Sequence, residues 1–130
     1  MKRYLKAAIA LGCVGAGGLM ASAAQADCHT APFRFALAKN DAQPVATTTD
    51  KDGCIHRFPN SPGAIFTKAD VVGKPQHGSL IVPDVSPLGF WFRYAPSAGY
   101  TGADTYAVKL CGKTVGGEGC STLNYTATVK

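Results

Sequence analysis

The chain has 130 residues, 46% hydrophobic and 16% charged, with 13 Lys and Arg against 8 Asp and Glu and a formal net charge of +5. That length suits one domain and leaves little room for a second core. Three of the cations, Lys2, Arg3 and Lys6, stand at the very start and no Lys/Arg run follows, which argues against nucleic acid as a partner.

Those cations open a basic stretch that leads into a small, apolar run from Ala7 to Met20 and closes on Ala24-Gln25-Ala26. The pattern predicts a secretory signal peptide over 1–26, cut after Ala26. A rival is the lipobox of a lipoprotein acylated on Cys13, at Leu11-Gly12-Cys13. Against it, Ala10 stands where such boxes carry Leu, and the apolar stretch before Cys13 is short. Export leaves residues 27–130, which carry 10 basic and 8 acidic side chains for a net charge of +2. No segment of this part is long and apolar enough to span a membrane, so a soluble protein of the periplasm or the cell exterior is expected.

Four cysteines remain after cleavage: Cys28, Cys54, Cys111 and Cys120. An even count in a small exported domain implies a disulfide framework. Cys111 and Cys120 flank Gly112-Lys113-Thr114-Val115-Gly116-Gly117-Glu118-Gly119, a hairpin-like loop, so they are paired with each other and Cys28 with Cys54. The spacings contain no CxxC pair and no His cluster, which argues against zinc.

Helix signals are nearly absent between these cysteines. Short alternating runs broken by Gly, Pro, Ser and Thr predict an all-β sandwich or barrel. Phe33 to Leu37 is expected as a strand with Phe33, Phe35 and Leu37 on one face. Asn40 to Asn60 is polar and turn-rich, a loop with one or two edge strands. Gly63 to Phe66 and Ala69 to Val72 are two short strands, and Ser79 to Val82 a third after the Pro75-Gln76-His77-Gly78 turn. Phe90 to Tyr94 places Phe90, Phe92 and Tyr94 inward and Trp91 and Arg93 outward. Thr105 to Leu110 turns Tyr106, Val108 and Leu110 inward, and the last strand does so with Leu123, Tyr125, Ala127 and Val129.

Between the Phe90 to Tyr94 and Thr105 to Leu110 runs lies Ala95-Pro96-Ser97-Ala98-Gly99-Tyr100-Thr101-Gly102-Ala103-Asp104. Gly99 and Gly102 permit positive φ, Pro96 ends strand pairing, and Asp104 can accept from backbone N–H groups of the turn. Tyr100 is expected to plug the end of the core while its hydroxyl reaches backbone. The stretch therefore carries the chain from one sheet to the other.

With Pro75 and Gly78, then Phe92, Tyr94 and Pro96, then Gly99, Tyr100, Gly102, Asp104 and Tyr106, the segment 74–130 resembles the bacterial cadherin-like or Ig-like repeat of secreted and surface proteins. The resemblance implies an Ig-like or cadherin-like antiparallel β-sandwich over 27–130 that serves as a binding or interaction module. This chain holds one copy where the family usually has tandem repeats. It also lacks visible acidic linker motifs for calcium and adds two disulfides to the pattern.

No catalytic constellation emerges. There is no G-x-S-x-G, no thiol left free by the bridges, and a single glutamate, Glu118, so no enzyme and no cofactor are expected. Asp50-Lys51-Asp52-Gly53 has the opening of a calcium loop without its remaining ligands, and is assigned to a polar turn. His29 and His56, each near a bridged cysteine, form the alternative of a small periplasmic metal-binding protein. Strand alternation opposes it, because His56 shares the face of Cys54 while His29 takes the face opposite Cys28. The expected binding surface is Trp91 with Arg93, an exposed indole beside a guanidinium, together with the Gly112 to Gly119 loop and its Lys113 and Glu118. The bland competitor is that Trp91 is covered by a loop or by the N-terminal strand, or packs only against Arg93. The expected partner is a protein or glycan of the cell envelope, and an inhibitor presenting its disulfide-closed loop to an enzyme falls in the same class.

Overall fold

A computed structural model describes residues 27–130; the expected signal peptide and Cys13 lie outside the described residues. The described residues form eight strands: β1 (His29–Thr30), β2 (Ala42–Thr49), β3 (Cys54–Pro59), β4 (Ala64–Gly73), β5 (Gly78–Ile81), β6 (Gly89–Pro96), β7 (Gly102–Thr114) and β8 (Gly117–Val129). They build a five-stranded sheet in the order β1-β2-β8-β7-β4 and a three-stranded sheet in the order β3-β6-β5. The two pack as a β-sandwich with two disulfides, Cys28–Cys54 joining β3 to the chain entering β1 and Cys111–Cys120 lying across the β7–β8 hairpin. Every pairing is antiparallel except that of β2 with β8.

The core lies where the alternating strands turn their apolar faces together. Phe90, Phe92 and Tyr94 from β6 meet Tyr106, Val108 and Leu110 from β7 and Leu123, Tyr125, Ala127 and Val129 from β8, all buried. Each large side chain buried this way stabilises the fold by about 1.5–3 kcal/mol. Tyr94, Tyr106 and Tyr125 stack in a row, with ring centroids 4.7 and 5.0 Å apart.

The step from β6 to β7 crosses between the sheets, as the Pro96 to Asp104 stretch predicts. Gly99 has φ +78° and Gly102 has φ +124°, conformations that side chains resist. The Tyr100 hydroxyl donates to the Ala103 carbonyl and its ring stacks on His77 at 4.1 Å. Asp104 reaches beyond its own turn. Its carboxylate accepts from the Gln76 and His77 N–H groups, from Thr105 N–H and from the Tyr94 hydroxyl at 2.8 Å. One buried side chain thus ties the inter-sheet corner to the Pro75–Gly78 turn.

Three segments differ from expectation. Phe33 to Leu37 is not a strand: it pairs with nothing in a ladder and ends in a 3₁₀ turn, Leu37–Lys39. Period two describes which way side chains point, not whether a neighbour is available for hydrogen bonding. β1 takes the outer edge of β2 only at Thr47 and Thr48, and after the Ala31 N–H donates to the Ala46 carbonyl the chain leaves that edge. The segment instead lays Phe35 across the opening between the sheets, against Phe58 and Phe66, with Phe33 against Tyr125. Gly63 to Phe66 and Ala69 to Val72 are one strand, β4, with a register shift between Phe66 and Lys68. The bulge resets the inward phase, and the broken alternation mimics two strands.

The Gly112 to Gly119 stretch is also not a loop. β7 and β8 stay paired to Thr114 and Gly117, leaving a turn of only Val115 and Gly116. The glycines answer a close approach instead: a Cβ on Gly119 would stand 2.0 Å from the Leu37 carbonyl oxygen, and one on Gly112 would stand 2.4 Å from that of Ile65.

Candidate functional site

The outer face of the three-stranded sheet is built by alternation. β6 turns Phe90, Phe92 and Tyr94 inward, so Trp91 and Arg93 must point out. β3 buries Cys54, His56 and Phe58, which turns Ile55 and Arg57 to the same outer side. Register then sets the neighbours. Arg57 stands opposite Trp91, Ile55 opposite Arg93, and Ile81 of β5 opposite Arg93 from the other edge. The result is a band of Ile55, Arg57, Trp91, Arg93 and Ile81 across all three strands.

This band is open. Trp91 is 40% exposed, Ile55 46% and Ile81 49%, and Leu88, at the turn entering β6, is 86% exposed. A shallow cleft of about 350 Å³ runs beside the indole, lined by Arg57, Pro59, Ser86, Leu88 and Gly89 among others. The Arg93 guanidinium donates to the Asp52 carbonyl at 3.0 Å, which anchors it at one end of the band. Neither Arg57 nor Arg93 forms an ion pair among the described residues; the pairs found there are Lys68–Asp70 and Lys113–Glu118. Two guanidinium groups flanking an open indole are suited to planar anions and to flat, C–H-rich surfaces.

Lys113 and Glu118 lie elsewhere. They are directly opposed on the β7–β8 hairpin, on the outer face of the five-stranded sheet, and pair with each other at 3.5 Å. Both are exposed, so the pair adds little stability. The structure thus separates the two halves of the expected surface, placing Trp91 and Arg93 on one outer face and Lys113 and Glu118 on the other. Ile55, Arg57, Ile81 and Leu88 are the members that sequence reasoning missed. The signal for Ile55 and Arg57 was the alternation Cys54-Ile55-His56-Arg57-Phe58, which the polar stretch around it obscures.

The two histidines are not brought together as a ligand pair. His29 is exposed in β1. His56 is buried, with Nε2 hydrogen-bonded to the Tyr106 hydroxyl at 3.0 Å and its ring 4.5 Å from that of Tyr125 and 4.7 Å from that of Phe92. Burial pulls its pKa down to about 4, so it is a neutral core residue at ordinary pH. Among the described residues, no group of three or more His, Cys, Asp or Glu side chains is placed to hold a metal ion.

The Asp50-Lys51-Asp52-Gly53 stretch is a turn in which the Asp50 carboxylate accepts from the N–H groups of Asp52 and Asp27. The Asp27 bond is the larger cause that holds Asp50 below the usual carboxylate range. No family model, no curated protein and no solved structure matches the chain.

Proposed function

We propose that this chain is an exported, non-catalytic Ig-like or cadherin-like binding module, working in the periplasm or outside the cell. It engages a partner of the cell envelope through the outer face of its three-stranded sheet. The observation that carries this is the band of Ile55, Arg57, Trp91, Arg93 and Ile81: a large aromatic left 40% exposed at mid-sheet, beside two arginines that have no ion-pair partner among the described residues. A sheet face that served packing alone would cover that indole or surround it with small polar residues. Two disulfides fit an oxidising compartment. Among the described residues, no helix is long and apolar enough to cross a membrane.

The test is retention on cell-envelope fractions of the producing organism. The native protein is expected to be retained, and the Trp91→Ala, Arg93→Ala double variant to be released while its unfolding midpoint stays close to that of the native chain. Equal retention of a folded double variant would overturn the assignment of this face.

A further inference from the structure

The outer face also carries information about the chemistry of its ligand, an inference that rests on the binding-module proposal above. We propose that it binds a carboxylate-bearing saccharide, with a sugar ring on the Trp91 indole and its carboxylates held by Arg57 and Arg93.

Register supplies the spacing. Arg57 is directly across from Trp91, and Arg93 lies two residues further along β6, so the two arginines are diagonal neighbours. Diagonal pairs across an antiparallel ladder are roughly 7–8 Å apart, within reach of neighbouring units of one oligosaccharide. The indole beside them offers a flat apolar face to the C–H face of a ring, Arg57 offers a two-pronged donor to a carboxylate, and Arg93, held at one end by its bond to the Asp52 carbonyl, offers its remaining N–H groups to a second. Beside the indole, the cleft of about 350 Å³ between Arg57, Pro59 and Leu88 is at the small end of ligand sites, the size for a sugar unit rather than a folded partner.

Other occupants fit less well. A stable protein interface covers about 800 Å² per side around an apolar centre, whereas here the apolar positions Ile55, Trp91 and Ile81 are interrupted by guanidinium groups. A second copy meeting face to face would set the same two arginines against themselves. Anionic bilayers are recruited by clusters of roughly four to eight cations, and this band has two. A neutral sugar needs only the indole, and would leave both arginines without a charge partner.

Trp91 is the chain's only tryptophan, so its emission reports this face alone. The purified exported protein is titrated with oligogalacturonate, oligoguluronate, oligomannuronate and oligoglucuronate. The galacturonate is compared with its methyl-esterified form, which keeps the ring and removes the charge. Polyglutamate and phosphatidylglycerol vesicles serve as acidic-protein and membrane probes.

The expected result is a saturable change in Trp91 emission with at least one uronate, weakened about tenfold or more by esterification where the galacturonate is bound, by added salt, and by Arg57→Gln. A tenfold loss corresponds to about 1.4 kcal/mol. No response to any uronate, a response indifferent to esterification or to Arg57→Gln, or a response only to polyglutamate or vesicles would overturn the inference. If it falls while envelope retention still depends on Trp91 and Arg93, the binding-module proposal stands with another ligand; if retention is also unaffected by their removal, both fall.

Discussion

Asp104 shows how one side chain joins distant parts of this chain. It is buried, and its carboxylate receives three backbone N–H groups and the Tyr94 hydroxyl. Asp104→Ala leaves those donors without an acceptor and is expected to cost about 3 kcal/mol, measured by urea unfolding. Adding Tyr94→Phe to that variant should recover part of the loss, because one orphaned donor disappears with its acceptor.

Tyr125 presents the opposite case. Its buried hydroxyl has no hydrogen-bond partner among the described residues, so Tyr125→Phe should raise stability by about 1 kcal/mol, where most core substitutions lower it.

His56 gives the core a dependence on pH. Its folded pKa, about 4, lies below the unfolded value of 6.5, so between those pH values the unfolded chain binds the extra proton. The stability it contributes is therefore present above pH 6.5 and is lost as pH falls toward 4. About 3 kcal/mol is at stake over that window. Unfolding midpoints recorded between pH 7 and pH 4 should fall for the native protein and fall much less for a His56→Phe, Tyr106→Phe variant, which removes both partners of the bond.

At the scale of elements, the two disulfides constrain loops of different length. Cys111 and Cys120 are nine residues apart and directly opposed on the β7–β8 hairpin, whereas Cys28 and Cys54 span 26 residues and join β3 to the chain entering β1. Chain entropy predicts a loss of about 2.5 kcal/mol on replacing the first pair by serine and about 3.5 on replacing the second. Denaturant titration of the two double variants checks the order. An equal or reversed order would show that the hairpin bridge does more than close a short loop.

The hairpin also shows where composition misleads. Glycine-rich sequence between two cysteines suggests a flexible loop, yet Gly112 and Gly119 sit in paired strands because the Leu37 and Ile65 backbones press against them. The contact of Leu37 with Gly119 joins residues about 80 positions apart in the chain, and that of Ile65 with Gly112 residues about 50 apart. β4 misleads in a related way, since its bulge breaks the alternation by which a single strand is recognised.

Over the whole molecule, the alternating runs determined an all-β fold, sandwich or barrel, and the inward faces of β6, β7 and β8, and the four cysteines with the hairpin-like stretch between the last two determined both disulfide pairings. These features are local: side-chain direction follows from period two, and a cysteine count follows from composition. The inter-sheet corner at Gly99 to Asp104 was legible for the same reason, because positive φ at glycine is a property of single residues. Trp91 and Arg93 were legible as outward neighbours by alternation alone. Only the tertiary structure decided what stands beside them, bringing Ile55, Arg57 and Ile81 onto their face and sending Lys113 and Glu118 to the opposite one. Only the tertiary structure placed Phe35 over the open edge and His56 in the aromatic core. Strand order and register depend on pairings between residues far apart in the chain, and no local period of the sequence encodes which strand will lie beside which.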